Sequence, residues 1–148
     1  MNMNVKVKKL TNTAWIPLKA TDGSAGFDLY ADTIGESAPI YPGETKLFGT
    51  GIAMEIPEGY FGAIYARSGL ATKKGLRPAN CVGIIDRDYR GEICIALHND
   101  SSSPKTIGAH ERVAQLVIQP YATITELIET DDLSDTERGE GGFGSTGT

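Results

Sequence analysis

The stretch from Asn80 to Glu92 holds an acidic residue at a position suited to chemistry. It reads NCVGIIDRDYRGE, so an apolar run ends at Asp86, a charged tip follows, and an alternating strand begins at Gly91. Two strand-like runs joined by a short polar turn predict a β-hairpin. Gly83, inside the first run, is typical of a place where a ligand approaches the backbone closely. We expect Asp86 to be half-desolvated and still to touch water, although an ordinary hairpin with a solvated turn fits the same pattern.

A second carboxylate lies in the segment SAGFDLYA, residues 24–31. The alternation places Asp28 on the strand face opposite Phe27 and Leu29. An acid in that position suits a ligand of a hard cation, either directly or through water. A half-exposed strand carboxylate without a metal is the alternative.

Two further segments carry groups that suit phosphate oxygens. ARSGLA, residues 66–71, follows a strand and opens a helical turn, so Ser68 and the next amides can meet an anion. Arg67 adds a forked cation. ERVAQLVIQ, residues 111–119, puts Gln115 among apolar neighbours, where a buried amide needs a hydrogen-bond partner.

The C-terminal end differs in composition from the rest. Residues 130–140 are acidic and polar, and the last ten residues contain five glycines and one aromatic. Such a composition is typical of a disordered tail. The same stretch, RGEGGFGSTG, also combines a guanidinium, a ring, hydroxyls and glycine amides that could converge on a phosphorylated ligand.

Strand-type alternation positions these segments. It is clearest at residues 5–8, 25–31, 52–56, 92–97 and 112–119. Gly, Pro, Asn and Ser separate the runs, which predicts an all-β sandwich or barrel. In the last run Leu116 and Ile118 share one face, and Val113, Gln115 and Val117 share the other. One helix-like interval, residues 68–74, is closed by glycine and is at most a turn or two long.

Composition limits the class of protein. A chain of 148 residues can form one domain with a real core. A net charge of −5 argues against stable nucleic-acid binding but not against a nucleotide substrate. The N-terminus lacks the apolar region of a signal peptide, and no apolar run spans a membrane, so we expect an intracellular protein, cytoplasmic or nuclear. Cys81 and Cys94 are expected to be reduced.

Taken in this order and at these separations, the segments closely resemble the trimeric dUTPase family, the deoxyuridine triphosphate nucleotidohydrolases. The hairpin core, DYRGE and the closing GGFGSTG carry the resemblance, which covers roughly residues 21–147. Ala66 departs from it, since proline usually precedes Arg-Ser-Gly. The resemblance implies a jelly-roll-like distorted β-barrel over residues 1–130, with an acidic linker and glycine-rich lid over residues 131–148.

The implied reaction is hydrolysis of dUTP to dUMP and pyrophosphate, which supplies the precursor of dTMP and keeps uracil out of DNA. The implied assembly is a homotrimer with shared active sites. One chain would contribute the segments around Asp28, Arg67 and Gln115, a second the hairpin, and a third the tail.

The resemblance also implies roles for individual residues. Asp86 would activate the water that attacks the α-phosphorus, and Asp28 would help to hold Mg²⁺. Arg138 would act as an arginine finger at the γ-phosphate, and Tyr89 would lie under the deoxyribose. The other implied substrate contacts are Arg67, Ser68, Gly69 and Gln115 for the phosphates, Asn80, Gly83, Ile84 and Ile85 for uracil, and Phe143, Gly144, Ser145 and Thr146 in the tail.

Two rival functions fit parts of the sequence. The related dCTP deaminases share this fold and keep a triphosphate site, but they need a glutamate base where this hairpin has Asp and Tyr. A trimeric interaction protein that uses dUTP as a switch is the other rival. Relatives of that kind typically carry inserted segments, and this chain has only the acidic stretch of residues 131–137.

Overall fold

The computed structural model describes residues 3–142, which form nine β-strands in three antiparallel sheets. The strands are β1 (Lys6–Lys9), β2 (Phe27–Tyr30), β3 (Thr45–Gly49), β4 (Ile52–Glu55), β5 (Tyr60–Tyr65), β6 (Leu76–Pro78), β7 (Gly83–Ile85), β8 (Cys94–Asn99) and β9 (Arg112–Pro120). The all-β prediction is confirmed. Within the described range no helix has the length and apolar character needed to cross a membrane.

The three sheets enclose one apolar core. Strands β2-β9-β5-β7 form the largest sheet, β3-β8-β6 the second, and β1-β4 a two-stranded ladder. Each sheet supplies fully buried side chains, among them Leu29, Leu116, Ile95, Leu97 and Ile52. Because each sheet is apolar on its inner face, burying these faces together produces the distorted, jelly-roll-like barrel.

The ninth strand is the centre of the largest sheet and pairs on both sides. Gln115 lies opposite Asp28 of β2 and opposite Tyr65 of β5, so three polar side chains share one rung. The next rung joins Leu116 to Phe27 and Ile64. The register therefore fixes which side chains of β2 and β5 lie beside each other.

A β-bulge interrupts the pairing of β2 with β9. Leu29 is opposite Ala114, but the next residue of β2, Tyr30, is opposite Arg112, so Val113 is an extra residue. Val113 and Ala114 are both fully buried. The prediction that Val113 shares a face with Gln115 is therefore wrong, because a bulge breaks the two-residue period on which that prediction depended.

The predicted hairpin is also wrong in its pairing. Strand β7 pairs with β5, whereas β8 pairs with β3 and β6 in the other sheet. Between them the chain crosses from one sheet to the other, and Ile93 bonds by its backbone to Thr50 and Ile52. Alternation in sequence predicts strands but does not specify their partners, and here burial in two different sheets decides the pairing.

The helical interval is confirmed as a single wide turn of π type at Leu70–Lys74. Leu70 is buried in the core, and the turn ends at Gly75, which adopts a left-handed conformation with φ 68°. This turn holds residues 67–69 at the end of β5. After β9 the side chains of residues 121–140 are exposed in the single chain.

Candidate active site

Asp28 is the centre of a group of three charged side chains. Its Oδ1 accepts a hydrogen bond of 2.7 Å from Arg67 Nε, and its Oδ2 accepts one of 3.1 Å from Arg112 Nη1. The Asp28 side chain is only 13% exposed, so both ion pairs are partly shielded from solvent. One carboxylate between two guanidinium groups leaves a net positive charge, which favours an anionic ligand at this position.

Gln115 connects this group to the turn that follows β5. Its Nε2 donates a 2.9 Å hydrogen bond to the carbonyl of Ala66, the residue just before Arg67. The prediction that this amide needs a partner is thus confirmed. A Cβ at Gly26 would lie 2.9 Å from Gln115 Oε1, so glycine in SAGFD makes room for the amide.

A cavity of about 330 Å³ lies over these residues. Its lining includes Ser24, Gly26, Asp28, Arg67, Ser68 and Gln115. The Ser68 residue is exposed, and its carbonyl accepts a 2.7 Å hydrogen bond from Thr72 Oγ1, which steadies the turn. The structure therefore brings together Asp28, Arg67, Ser68 and Gln115 from three separate segments. Hydroxyl, guanidinium and amide donors around one cavity suit phosphate oxygens.

Asp86 lies at a different cavity, of about 570 Å³, lined also by Phe61, Ile84 and Tyr121. Among the described residues, this cavity shares no lining residue with the one over Asp28. Asp86 is exposed in the single chain, so the prediction of a half-desolvated acid is wrong for the single chain. The reason is that the turn after β7 projects beyond an edge strand, with no further strand beside it.

Tyr89 closes the turn that begins at Asp86. Its backbone N–H donates to the Asp86 carbonyl at 3.1 Å, and its hydroxyl donates to the Glu92 carbonyl at 2.9 Å. The ring passes directly over Gly91, where a Cβ would overlap the phenol. The orientation of Tyr89 is therefore fixed by the turn itself.

Strand β7 is an edge strand, because it pairs with β5 and lies last in its sheet. Half of its backbone N–H and C=O groups consequently point away from the sheet. Gly83 is buried, and a Cβ there would lie 3.1 Å from both Asn80 Nδ2 and Ile64 Cβ. Asn80 and residues 83–85 thus lie at one open edge that offers backbone donors and acceptors. Cys81 and Val82, which lie between Asn80 and Gly83 in the chain, line a further cavity of about 380 Å³ together with Gln115.

The remaining predicted residues lie in the tail, except for Gly69. Arg138 is exposed, and its Nε donates a 2.8 Å hydrogen bond to the Gly141 carbonyl within the tail. Phe143, Gly144, Ser145 and Thr146 lie outside the described residues. Gly69 caps the start of the π turn beside Ser68.

Sequence reasoning missed Arg112. The residue lies in the segment of residues 111–119, but a regular alternation gives no sign that it is beside Asp28. Only the bulge at Val113 places it there. The cysteines are free thiols, as expected, and burial raises the pKa of the Cys94 thiol above its usual range.

The described residues provide no resident metal cage. Over residues 3–142, no group of three or more His, Cys, Asp or Glu side chains could hold a metal ion. Magnesium, however, usually keeps several waters and takes one or two carboxylates plus substrate phosphates. Asp28, beside a cavity whose donors suit phosphate oxygens, therefore fits a magnesium ion that arrives with a phosphorylated ligand.

Comparison with known proteins gives consistent matches over nearly the whole chain. A sequence model of the family described as dUTPase matches residues 12–147. A deoxyuridine 5'-triphosphate nucleotidohydrolase of Nautilia profundicola is 52% identical over 145 residues, which cover 98% of this chain and 99% of the relative. One from Hydrogenobaculum sp. is 48% identical, with the same coverage of both chains.

Solved structures are similar in fold. A point mutant of the Staphylococcus bacteriophage 80alpha dUTPase, solved with dUpNHpp, superposes with a TM-score of 0.89 at 30% identity, covering 99% of this chain and 100% of the phage chain. A mutant dUTPase of phage phi11 of S. aureus, described with a structural Mg(II) ion, has a TM-score of 0.80 at 24% identity, covering 90% of this chain and 100% of that chain.

Proposed function

The chain belongs to the dUTPase family and hydrolyses dUTP, and we propose that Asp86 activates the attacking water while the group around Asp28 binds the triphosphate. The observation that carries this proposal is the convergence of Asp28, Arg67, Ser68 and Gln115 on one cavity rich in phosphate-binding donors. Most of the catalytic gain would then come from positioning and from stabilisation of charge on the phosphoryl group.

On the phosphate side, Arg67 is the principal cation. Its Nε donates to Asp28, which orients the guanidinium plane, and its terminal Nη groups would donate to the phosphates. The Ser68 hydroxyl and the Gly69 amide follow Arg67 directly and would donate to the same oxygens. Gln115 acts partly by bonding the Ala66 carbonyl, which fixes the start of this turn.

Asp28 would hold magnesium through water, since both of its oxygens already accept hydrogen bonds from arginines. Magnesium, when bound, would neutralise part of the triphosphate charge and favour its coiled conformation. The arginines meanwhile hold the Asp28 carboxylate in one orientation.

On the base side, the open edge of β7 would recognise uracil by backbone hydrogen bonds. Main-chain donors and acceptors are fixed by the pairing of Gly83–Ile85 with β5, so they can require the pattern of uracil. Cytosine would leave buried groups unpaired, and such mispairing discriminates strongly. A narrow site excludes the 5-methyl group of thymine, and the Tyr89 ring leaves no room for a 2′-hydroxyl.

The proposed chemical step is an in-line displacement. The Asp86 carboxylate accepts a proton from water, and the water oxygen bonds to the α-phosphorus. The bond from this phosphorus to the bridging oxygen of the β-phosphate breaks, so pyrophosphate leaves and dUMP remains. For this role Asp86 must lose some of its solvent exposure, which a neighbouring subunit would accomplish.

A homotrimer with shared sites accounts for the separation of the two cavities. Asp86 and Asp28 lie at different cavities of one chain, so a complete site requires groups from another copy. The segment after β9 supports assembly as well, because it exposes large apolar side chains at Ile124 (69%), Leu127 (89%) and Ile128 (79%). Exposed apolar side chains this close together are typical of an interface.

The tail is proposed to act as a lid over the nucleotide. In support, the strands end at Pro120, and residues 121–140 lie outside the core. Residues 131–138 would carry Arg138 to the γ-phosphate, and Phe143 would stack on uracil. Ser145 and Thr146, with their glycine neighbours, would then close over the phosphates.

The proposed recognition predicts the substrate range. With Mg²⁺ present, we expect rapid pyrophosphate release from dUTP and kcat/KM values at least about a hundredfold lower for dCTP, dTTP and UTP. Chelation of the metal should slow the reaction with dUTP. Comparable rates with UTP would contradict the role of Tyr89, and comparable rates with dCTP would contradict recognition by the β7 edge.

Replacement of the proposed base should separate binding from catalysis. Asp86→Asn keeps the size of the side chain but cannot accept the proton, so we expect dUTP binding to persist while kcat falls by about 10² to 10⁴. Calorimetry measures the affinity for dUTP, and the rate of pyrophosphate release gives kcat. Glu58→Gln, in the exposed turn before β5, is the matched control. Wild-type kcat in Asp86→Asn would refute the assignment.

Site sharing predicts complementation between two inactive variants. Asp28→Asn and Asp86→Asn trimers should each be impaired, whereas trimers refolded from an equal mixture should recover about a quarter of wild-type activity by random assortment. The recovery arises because a site at a mixed interface takes Asp28 from one chain and Asp86 from another. If each site lay within one chain, the mixture would stay as inactive as its components.

Removal of the lid should affect turnover but not assembly. A chain that ends at Asp135 lacks Arg138 and all later residues, so we expect a folded trimer with kcat lowered about a hundredfold or more. Size-exclusion chromatography with light scattering checks the trimer. Arg138→Ala shows how much of the loss belongs to the guanidinium. A truncated chain with unchanged turnover would exclude the lid.

A further inference from the structure

The bulge in β9 places an unassigned arginine beside the phosphate-binding group. In a regular antiparallel ladder Tyr30 would lie opposite Val113, and Arg112 would point to the core side. The extra residue lets Val113 and Ala114 both enter the core, where both are fully buried, and turns Arg112 to the face of Asp28 and Gln115. Bulges beside functional sites commonly redirect a side chain in this way.

Arg112 is bonded to Asp28 rather than to its acidic neighbour in sequence. Its Nη1 lies 3.1 Å from Asp28 Oδ2, while Glu111 pairs with Lys74 of the helical turn. The two guanidinium groups, Arg67 and Arg112, thus bind opposite oxygens of one carboxylate. A carboxylate held at both oxygens has little freedom to rotate about its last torsion.

We propose that Arg112 is a positioning residue for the reaction, which clamps the Asp28 carboxylate in one orientation together with Arg67. This inference rests on the proposed role of Asp28 toward the magnesium–triphosphate complex. Without Arg112, Asp28 would keep only Arg67 and could turn away from the ligand. The group of charged side chains around Asp28 would also lose one positive charge.

The contact between Arg112 and Asp28 is not explained by a role in stabilising the fold. The Arg112 side chain is 49% exposed, and without it the shielded Asp28 carboxylate would keep its ion pair with Arg67, so the Arg112 contact adds little to the stability of the fold. The buried residues that determine the bulge are Val113 and Ala114, which remain in any variant at position 112. Loss of Arg112 should therefore change catalysis much more than it changes the thermal midpoint.

The test compares Arg112→Gln, Arg112→Lys, Asp28→Asn and the double variant Arg112→Gln/Asp28→Asn. We expect Arg112→Gln to lower kcat about tenfold with a smaller change in KM, and Arg112→Lys to recover part of the loss. Because Arg112 acts through Asp28, the double variant should be no slower than Asp28→Asn alone, within about twofold. Lys6→Gln, which breaks an exposed ion pair with Glu55 in the two-stranded ladder, is the control.

The possible outcomes are distinct. Wild-type kcat in Arg112→Gln, or losses that multiply in the double variant, would overturn the positioning role while leaving that of Asp28 intact. Wild-type kcat in Asp28→Asn would overturn the proposed function of Asp28 and the inference about Arg112 with it. A large fall in the melting temperature of Arg112→Gln, with kcat per folded trimer unchanged, would show that the residue is only structural.

Discussion

The register of β9 is the constraint on which the proposed phosphate-binding group depends. One rung of the largest sheet joins Asp28, Gln115 and Tyr65, and Arg67 follows Tyr65 by two residues. A slip of one residue would turn Gln115 to the core and move its amide away from the Ala66 carbonyl. Leu116, fully buried between Phe27 and Ile64, opposes such a slip because it would have to leave the core. Core packing therefore determines where the polar donors lie.

Local charge explains how an acidic chain can bind a triphosphate. The net charge is −5, yet one end of β9 and the adjoining helical turn concentrate Arg67, Lys73, Lys74 and Arg112 around a second cavity of about 300 Å³, which shares Arg67 with the cavity over Asp28. The nearby acids are paired with these cations, Asp28 with Arg67 and Arg112, and Glu111 with Lys74. The electric field of the nearby charged side chains, rather than the net charge of the chain, controls the approach of a small anion, because solvent ions screen distant charges.

The sequence allowed the all-β class, the short helical turn and the partnered amide of Gln115 to be predicted, since each depends on local pattern or on the cost of an unpaired polar group. It did not allow the partner of β7, the inward position of Val113 or the exposure of Asp86 to be predicted. Those three depend on contacts between segments distant in the chain. Arg112 was missed for the same reason, because one extra residue in a strand leaves no mark on the alternation of its neighbours.

The open edge of β7 also affects how single chains can pair with one another. An unpaired strand edge is a template for indiscriminate pairing with other chains, and therefore a site of aggregation. This strand is only three residues long, and the charged residues Asp86, Arg87 and Asp88 follow it immediately. Such charges act as gatekeepers, since stacking the same segment from many copies would bring like charges together. The residues that end the strand thus disfavour indiscriminate pairing of single chains through this edge.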